Sequence, residues 1–275
     1  MYQYSRRYSG PLEAVILDLA GTCVDFGSRA PILAFQKLFA DLDIELSETQ
    51  ARGPMGTEKR EHIAQLLALP EIAQQWQARF GHWPSDTDIS RLYETFVPVQ
   101  LKTIQDRTEL INGALALQDY CVAANIALAA NTGYSRAMAE AVLPSIHTQG
   151  LHFSSVVCAT EVPRGRPWPH MSLQNALELG VSTLQACVKV DDTGTGIEEG
   201  LNAGMWTVAV ATSGNAVGLD LDDWQQLSRA EQGVLRRRAY QTLATSGAHY
   251  VIDSIADLPA TLTLIQHRLT QGEKP

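Results

Sequence analysis

Two aspartates stand directly after short apolar runs, where their side chains could do chemistry. Asp18 follows Ala14–Leu17 and opens Asp-Leu-Ala-Gly-Thr, and Asp192 comes just after Cys187–Val190 in Val-Asp-Asp-Thr-Gly. A carboxylate at the C-terminal end of a strand faces the ligand crevice of an open α/β sheet. Asp18 is therefore a candidate nucleophile, and Asp192 is a candidate ligand for Mg²⁺, which prefers oxygen donors. Taken alone, either aspartate could equally well belong to a turn or cap a helix.

The residues after Asp18 predict how its turn is built. Gly21 permits a tight turn, and Thr22 is expected to hydrogen-bond the Asp18 carboxylate. Cys23 is expected to pack in the interior, because nothing in the sequence places a base beside its thiol.

Two further segments carry groups that could hold an anion. Thr132 and the backbone N–H of Gly133 follow another apolar run and precede a helical pattern, where N–H groups bind phosphoryl oxygens. Arg166 lies between a glycine and a proline ahead of a helix, so it could form a rigid anion clamp. In isolation, Thr132 is as readily a helix cap, and Arg166 is as readily a surface arginine.

A lysine in a helical segment is the remaining candidate. Thr57 is expected to cap a helix beginning at Glu58, which places Lys59 in its first turn. Lys59 and His62 are three residues apart and share a face. A helix N-terminus and a dry covering both disfavour an ammonium group, so Lys59 could lose its proton and become nucleophilic. Most helix lysines are merely solvated, so this role depends on the rest of the site.

The elements that position these residues follow from the apolar pattern. Short runs of Val, Ile, Leu and Ala predict strands at Ala14–Leu17, Ile126–Ala130, Ser155–Ala159, Cys187–Val190, Trp206–Ala211 and His249–Ile252. Helical patterns lie between them at Gly113–Ala123, Ser135–Ile146, Pro169–Leu179 and Ile197–Asn202, with a last helix from about Leu258. Strands that alternate with helices predict an α/β fold with a parallel sheet and right-handed crossovers.

Residues 28–105 break this alternation, because their apolar positions recur at helical spacing and no strand-like run appears. Ser47 and Gln50 are typical of a capping box. The predicted organisation is an α/β core of residues 1–27 and 106–275 with an all-helical cap domain of residues 28–105. Because the cap follows the end of a strand, it should cover the ligand crevice.

Composition narrows the class of protein. Of 275 residues, 45% are hydrophobic and 19% are charged, which is ordinary for a globular chain. The net charge of −9 argues against general nucleic-acid binding, which needs a basic surface. The compact basic run at residues 236–238 is expected to be a solvated helix face. The four cysteines show no metal-ligand spacing and are expected to be buried thiols.

No targeting or membrane segment is expected. The N-terminal Met-Tyr-Gln-Tyr-Ser-Arg-Arg-Tyr-Ser-Gly-Pro lacks the apolar stretch of a signal peptide. No run approaches the ~18 apolar residues of a membrane span. The expected location is therefore the cytoplasm.

The order of the motifs resembles the haloacid dehalogenase-like superfamily. An aspartate strand end, a threonine strand end, a basic residue and an acidic strand end follow one another from Asp18 to Asp192. The resemblance implies a Rossmann-like core with a parallel sheet. Phosphatases of this superfamily carry Asp-x-Asp, whose second aspartate is the general acid and base, but here that position is Ala20. A chain without this acid needs another way to stabilise its leaving group.

Within the superfamily, the chain resembles the phosphonoacetaldehyde hydrolase (phosphonatase) family. The shared motifs are Ala-Gly-Thr after Asp18, Met-Gly-x-x-Lys-x-x-His at Met55–His62, Asn-Thr-Gly-Tyr at Asn131–Tyr134, Gly-Arg-Pro-x-Pro at Gly165–Pro169 and the segment Gly200–Val208. The resemblance implies a magnesium-dependent hydrolase that splits the carbon–phosphorus bond of phosphonoacetaldehyde into acetaldehyde and phosphate. It also implies a place in 2-aminoethylphosphonate degradation.

The resemblance assigns a role to each candidate. Asp18 would form an aspartyl phosphate, and Lys59 would form an imine (Schiff base) with the substrate aldehyde. The Mg²⁺ ligands would be Asp18, the backbone carbonyl of Ala20 and Asp192. The phosphoryl oxygens would be held by Thr132, Gly133 and Arg166. The neighbours of Lys59 would be His62, Met55 and Tyr134.

Two further features of the family concern the metal shell and the oligomeric state. Some members carry a further aspartate four residues after the acidic metal ligand, where this chain has Gly196. Water, Thr193 or Asp191 would then complete the outer metal shell. The resemblance also implies a homodimer joined through cap helices, consistent with an apolar helix from Ile32 to Phe39.

Three other interpretations stay open. An ordinary phosphatase or phosphomutase of the same superfamily is disfavoured by Ala20. A haloacid dehalogenase would share the nucleophile but would need no metal. A catalytically inert binding protein is possible on any fold, but the joint presence of Asp18, Lys59, Arg166 and Asp192 argues against it.

Overall fold

The computed structural model describes residues 8–275 and contains one six-stranded parallel sheet. Its strands are Ala14–Leu17 (β1), Ala127–Thr132 (β2), Ser155–Cys158 (β3), Cys187–Asp191 (β4), Trp206–Val210 (β5) and Tyr250–Ile252 (β6). Their order across the sheet is β3-β2-β1-β4-β5-β6. The expectation for the N-terminal segment falls mainly on residues 1–7, which lie outside the described residues.

The predicted strands are confirmed, with ends that shift by one or two residues at most. The central strand β1 is buried at all four positions because helices cover both faces of the sheet, so it reads as a continuous apolar run. Leu17 pairs with Ala130 on one side and with Val190 on the other. This register brings the residues that follow β1 and those that end β2 and β4 to one edge of the sheet.

Five helices lie in the segment that follows β1, up to residue 105, and seven lie in the rest of the described chain. The first five are Arg29–Ala40 (α1), Glu48–Arg52 (α2), Lys59–Leu67 (α3), Pro70–Phe80 (α4) and Asp86–Gln105 (α5). The other seven are Ala114–Ala123 (α6), Arg136–Thr148 (α7), His170–Leu179 (α8), Gly194–Ala203 (α9), Leu221–Gln226 (α10), Arg229–Ala244 (α11) and Leu258–Thr270 (α12). Within residues 8–275, no helix is both long and apolar enough to cross a bilayer.

Helix α10 was not predicted, and α11 was expected only around its basic run at residues 236–238. Only Ala239 and Leu243 of α11 are buried, so the helix has no apolar stripe that periodicity could reveal. Its N-terminus carries a capping box between Ser228 and Glu231, which was the available signal. The basic run at residues 236–238 is an exposed part of α11, as expected.

The segment 28–105 contains helices and no strand, in agreement with the predicted helical insertion. Its capping box at Ser47 and Gln50 is confirmed. Phe35 of α1 stacks on Phe96 of α5 with ring centroids 4.4 Å apart. One apolar cluster runs from strand residues such as Leu17 to insert residues such as Trp76, so the insert and the core share a continuous apolar interior. The division into two domains at these boundaries stays a prediction.

Candidate active site

Three carboxylates meet at the C-terminal edge of the sheet. Asp18 follows β1, Asp191 ends β4 and Asp192 comes next, and all three are buried. One oxygen from each lies within 4.8 Å of the others, a spacing that a single cation can bridge. The Oδ2 atom of Asp192 accepts a hydrogen bond from the backbone N–H of Asn215 at 2.7 Å. Its buried Oδ1 atom has no hydrogen-bond partner among the described residues, so it is an open oxygen ligand.

Arg166 ties these carboxylates to the neighbouring strand and helix. Its Nη2 group donates to Asp18 Oδ1 at 2.7 Å and to Asn131 Oδ1 at 2.8 Å, and it lies 3.1 Å from Asp191 Oδ2. Its Nε group donates to Glu199 Oε2 at 3.0 Å. The side chain is only 1% exposed, so Arg166 is not a surface arginine. It is a fixed cation beside Asp18, and its predicted role as an anion clamp stays a prediction.

Two buried charged residues beneath the clamp were missed in the sequence. Lys189 lies within β4, and its Nζ group contacts Asp191 Oδ2 at 3.0 Å and donates to Asn131 Oδ1 at 2.5 Å. Glu199 of α9 accepts hydrogen bonds from the N–H and the hydroxyl of Ser172 at 2.9 and 2.8 Å. A lysine inside an apolar strand was an available signal, because a buried ammonium needs partners. Glu199 carries no comparable signal, since glutamate is common in helices.

Burial and neighbouring charges shift the pKa values of the three carboxyls in different directions. Burial raises the pKa of Asp18, and the charge of Arg166 opposes that rise. Burial, followed by the charges of Asp18 and Asp191, raises the pKa of Asp192 well above its usual value. Burial also acts on Asp191, but the charges of Arg166 and Lys189 outweigh it and hold the pKa of that carboxyl below its usual value. A cation at Asp18 and Asp192 would favour both ionised forms.

Lys59 approaches this edge from the insert. It is the first residue of α3 and is 3% exposed. Burial lowers the pKa of its amine to about 8. The Nζ atom lies 5.6 Å from the ring centroid of Tyr134 and 5.8 Å from that of Phe35. The amine is therefore held between aromatic faces in an apolar setting, as the sequence predicted for a nucleophilic lysine.

The predicted cap of α3 was wrong by one residue. The capping residue is Glu58, whose side chain accepts from the backbone N–H of Glu61 at 3.0 Å. Thr57 instead donates its hydroxyl to the carbonyl of Pro54 at 2.7 Å and closes the preceding turn. Lys59 still lies in the first turn of the helix, because the change moves only the boundary.

His62 is buried behind Lys59. Its Nε2 atom hydrogen-bonds the carbonyl of Ala51 at 2.9 Å, and its ring lies 4.0 Å from that of Phe35 between centroids. Its Nδ1 atom has no hydrogen-bond partner in the described chain. Burial, and then the charge of Lys59, lowers the pKa of His62 well below its usual value. His62 is thus a neutral imidazole that supports Phe35.

One small cavity lies between the insert and the strand ends. Its volume is about 20 Å³, enough for about one water molecule. Nine of the ten predicted site residues line it: Asp18, Ala20, Met55, Lys59, Thr132, Gly133, Tyr134, Arg166 and Asp192. His62 is the predicted residue that does not line it. The cavity is too small for a substrate of several heavy atoms, so the insert must move for a ligand to enter.

Glycines allow the insert to come this close to the core. A Cβ atom on Gly133 would lie 2.9 Å from the carbonyl oxygen of Thr57. A Cβ atom on Gly56, whose φ is +88°, would lie 2.4 Å from the hydroxyl of Thr195. The Thr195 hydroxyl donates to the carbonyl of Met55 at 2.9 Å. The loop before α3 is therefore locked against the strand ends in this structure.

Two expectations around Asp18 have different outcomes. Thr22 was expected to bond the Asp18 carboxylate, but its buried hydroxyl has no hydrogen-bond partner in residues 8–275, so that prediction was wrong. Cys23 packs as expected, with its thiol donating to the carbonyl of Asp18 at 3.3 Å. Burial raises the pKa of the Cys23 thiol well above its usual value, so it is a poor nucleophile.

The absence of an aspartate at Gly196 has a steric explanation. A Cβ atom there would lie 2.0 Å from the Asp191 carboxylate, so that carboxylate fills the space a side chain would need. Thr193 donates its hydroxyl to Asp191 Oδ1 at 2.7 Å. Asp191, one of the candidates for the outer metal shell, has an oxygen within 4.8 Å of those of Asp18 and Asp192.

Known proteins share both the sequence and this fold. Residues 12–204 match the family model of the haloacid dehalogenase-like hydrolases. A phosphonoacetaldehyde hydrolase from Hahella chejuensis is 51% identical over 100% of this chain and 93% of its own length. Another from Bordetella avium is 46% identical over 96% and 94%, respectively. The crystal structure of a phosphonoacetaldehyde hydrolase-like protein from Oleispira antarctica is 49% identical, covers 100% of both chains and superposes with a TM-score of 0.98.

Proposed function

The chain belongs to the phosphonoacetaldehyde hydrolases of the haloacid dehalogenase-like hydrolase family, and we propose that it converts phosphonoacetaldehyde and water into acetaldehyde and phosphate. The observation that carries this proposal is one cavity in which the buried amine of Lys59 faces the carboxylates of Asp18 and Asp192. Ala20 stands there in place of the general acid of the family's phosphatases. The leaving group must then be stabilised by an amine rather than by an acid.

Lys59 is the proposed electron sink. Its neutral amine adds to the aldehyde carbon and loses water, which leaves a protonated imine between substrate and protein. When the carbon–phosphorus bond breaks, its electron pair moves onto carbon and through to nitrogen, which gives an enamine. The low pKa of Lys59, about 8, supplies free amine near neutral pH. Protonation of the enamine carbon and hydrolysis of the imine then release acetaldehyde.

Asp18 is the proposed nucleophile toward phosphorus. Its Oδ1 atom accepts the 2.7 Å hydrogen bond from Arg166, which leaves Oδ2 free to attack in line with the breaking bond. Attack forms an aspartyl phosphate, and water then cleaves the acyl phosphate to regenerate the carboxylate and release phosphate. The two intermediates are carried by different residues, so the carbon fragment and the phosphoryl group leave separately.

The remaining cavity residues hold the phosphoryl group and the imine. We assign Thr132, the N–H of Gly133 and Arg166 to the phosphoryl oxygens, because all three line the cavity beside Asp18. Tyr134 and Met55 enclose Lys59 and keep water from it. His62 lies outside the cavity with an orphan Nδ1 atom, so we assign it to supporting Phe35 and the Lys59 pocket rather than to direct proton relay.

The residues fit a divalent metal ion. The buried cluster carries two more carboxylates than cations, since Asp18, Asp191, Asp192 and Glu199 face Arg166 and Lys189. One Mg²⁺ ion would balance that difference, and the Oδ1 atom of Asp192, which has no partner within residues 8–275, would offer it a ligand. Asp18, the Ala20 carbonyl and Asp192 would hold the ion. When bound, Mg²⁺ would offset the repulsion between the Asp18 carboxylate and the phosphonate.

Assembly and biological setting are further parts of the proposal. We propose a cytoplasmic homodimer that acts in 2-aminoethylphosphonate degradation. The apolar face of α1 no longer argues for the dimer, because Ile32, Phe35 and Phe39 are already buried within the chain. The dimer therefore rests on family resemblance alone. Light scattering at micromolar concentration tests it, and a monomeric mass would contradict it.

The reaction is tested by incubating the enzyme with phosphonoacetaldehyde and Mg²⁺. Acetaldehyde is followed through alcohol dehydrogenase and NADH, and phosphate is measured separately. We expect equal amounts of both products and loss of both on chelation. Phosphate release from a generic aryl phosphate, without acetaldehyde from phosphonoacetaldehyde, would instead favour an ordinary phosphatase.

A further inference from the structure

Arg52 links the insert to a loop of the core. It lies at the end of α2, and its side chain is 13% exposed. Its Nη1 group donates to the side-chain oxygen of Asn215 and to the carbonyl of Gly27, each at 3.0 Å. Its Nη2 group donates to the carbonyl of Gly218 at 2.7 Å. One guanidinium therefore holds two separate core segments against the insert.

The loop that Arg52 grips also holds a carboxylate of the active site. The backbone N–H of Asn215 donates to Asp192 Oδ2 at 2.7 Å. A Cβ atom on the preceding Gly214 would lie 2.3 Å from the Asp192 Cβ atom, so the loop packs directly on that side chain. A Cβ atom on Gly218 would lie 2.6 Å from the Arg52 guanidinium. The loop is thus pressed between Arg52 on one side and Asp192 on the other.

This contact decides which oxygen of Asp192 is available. The Asn215 N–H occupies Oδ2, which leaves the buried Oδ1 atom without a partner among the described residues. Groups that orient a metal ligand through hydrogen bonds control affinity for the metal, although they do not touch it. Arg52 lies one residue further out: it contacts the loop at the Gly218 carbonyl and at the side chain of Asn215, the residue whose N–H reaches Asp192.

We propose that Arg52 is a positioning residue that couples docking of the insert to divalent-metal affinity through Asn215 and Asp192. The inference rests on the proposed metal site. With Arg52 engaged, the loop 213–218 is held in register and presents the Asn215 N–H to Asp192. When the insert swings away to admit substrate, Arg52 leaves the loop and Asp192 loses that orientation. Coupling of this kind is reciprocal, so bound metal also favours the docked insert.

Binding of Mg²⁺ alone to the full-length enzyme, measured by calorimetry without substrate, tests the coupling. Arg52→Met keeps the aliphatic stem and removes the guanidinium. Asn215→Ala removes the acceptor of Arg52 but keeps the N–H that reaches Asp192. We expect each variant to weaken Mg²⁺ binding about tenfold or more. The double variant should bind no more weakly than Arg52→Met, because both changes break the same link.

A matched control separates this role from general damage to the insert. Arg79 pairs with Asp43 within the insert, at 3.2 Å, so Arg79→Met should leave Mg²⁺ affinity unchanged. Circular dichroism and the unfolding midpoint establish that each variant folds. If Arg52→Met folds poorly, the milder Asn215→Ala variant still decides the question.

The binding measurements distinguish failure of the coupling from failure of the proposed metal site. Unchanged Mg²⁺ affinity in Arg52→Met or in Asn215→Ala would overturn the coupling while leaving the proposed reaction intact. Fully additive losses in the double variant would overturn the route through Asn215. If the unmodified enzyme itself bound no Mg²⁺ or Mn²⁺, the proposed metal site would fail and this inference would fail with it.

Discussion

Two buried lysines, one in the core and one in the insert, have opposite surroundings. Lys189 lies in the sheet at 0% exposure and is enclosed by Asp191, Glu199 and Asn131. Lys59 lies in the insert at 3% exposure, and no carboxylate of residues 8–275 forms an ion pair with it. Its Nζ atom instead lies over the rings of Phe35 and Tyr134.

The difference explains how one residue type serves two purposes in a single site. Lys189 forms ion pairs with Asp191 and Glu199, so it is a fixed cation of the core. Burial without such partners disfavours the ammonium form, which suits Lys59 to the nucleophilic role proposed for it. In the proposed reaction, the core would provide fixed charge for the phosphoryl group, and the insert would provide the reactive amine for the carbon fragment.

The largest expected effect comes from removing the amine of Lys59 while keeping its charge. Lys59→Arg should lower turnover of phosphonoacetaldehyde about 10⁴-fold or more, because a guanidinium cannot form the imine. The coupled acetaldehyde assay measures the loss. Appreciable residual turnover in a folded variant would remove the imine from the account. The Arg79→Met variant serves as the matched control and should keep full activity.

The next effect separates the proposed role of Asp18, in the core, from that of Lys59, in the insert. Asp18→Asn should abolish release of both products, since the amide is a poor nucleophile toward phosphorus. It should leave Lys59 able to condense with the aldehyde, because the amine belongs to the insert. Borohydride reduction followed by mass spectrometry of the Lys59 peptide measures this. Loss of trapping together with turnover would mean that the two halves do not act independently.

Stability should respond to the two lysines in opposite directions. Lys189→Met should lower the free energy of unfolding by about 3–5 kcal/mol, because it removes one of the two buried cations, Lys189 and Arg166, that pair with Asp191 and Glu199. Lys59→Met should raise it by about 1–3 kcal/mol at neutral pH, because an ammonium no longer has to be buried. Urea unfolding followed by circular dichroism measures both. An equal loss of unfolding free energy in the two variants would contradict the proposed difference between the two lysines.

The sign of the Lys59→Met effect can be checked against pH. Folding lowers the pKa of Lys59 from 10.5 to about 8, so the folded state binds fewer protons than the unfolded state between those values. The stability of the unmodified enzyme should therefore gain from this residue as pH rises from about 8 toward 10.5. The advantage of Lys59→Met should be greatest below about pH 8 and should shrink above it.

The smallest effect concerns the rate of imine formation. Below about pH 8 the free amine fraction of Lys59 should rise about tenfold per pH unit, and above it the rate should level off. Rates of borohydride trapping across pH 6–10 measure this. A rate that kept rising toward pH 10 would indicate an ordinary exposed lysine. His62 should add no inflection near its usual pKa, because burial keeps it neutral.

The strand ends and the position of Lys59 could be read from the sequence, because both follow from local patterns. Short apolar runs located β1 and β4, and the carboxyl ends of parallel strands necessarily meet at one edge. The absent acid at Ala20 then directed attention to a lysine that a helical pattern alone would leave on the surface.

The contacts that hold the Arg166 side chain in place could not be predicted from the sequence. Its contact with Glu199 joins a loop and a helix 33 residues apart, and its contact with Asp18 spans 148 residues. No local pattern encodes such contacts. The cap of α3 was missed for a related reason, since Thr57 and Glu58 can both accept a hydrogen bond from a first-turn N–H. Only the path of the preceding turn decides between them.

The most direct test of the account is reductive trapping of the unmodified enzyme with phosphonoacetaldehyde and borohydride, followed by mapping of the modified residue. The account predicts a two-carbon fragment on the Lys59 amine, formed with loss of activity and absent when Lys59→Arg is treated alike. Products released in equal amounts, but with no modification at Lys59 or with modification at Lys189 instead, would contradict it.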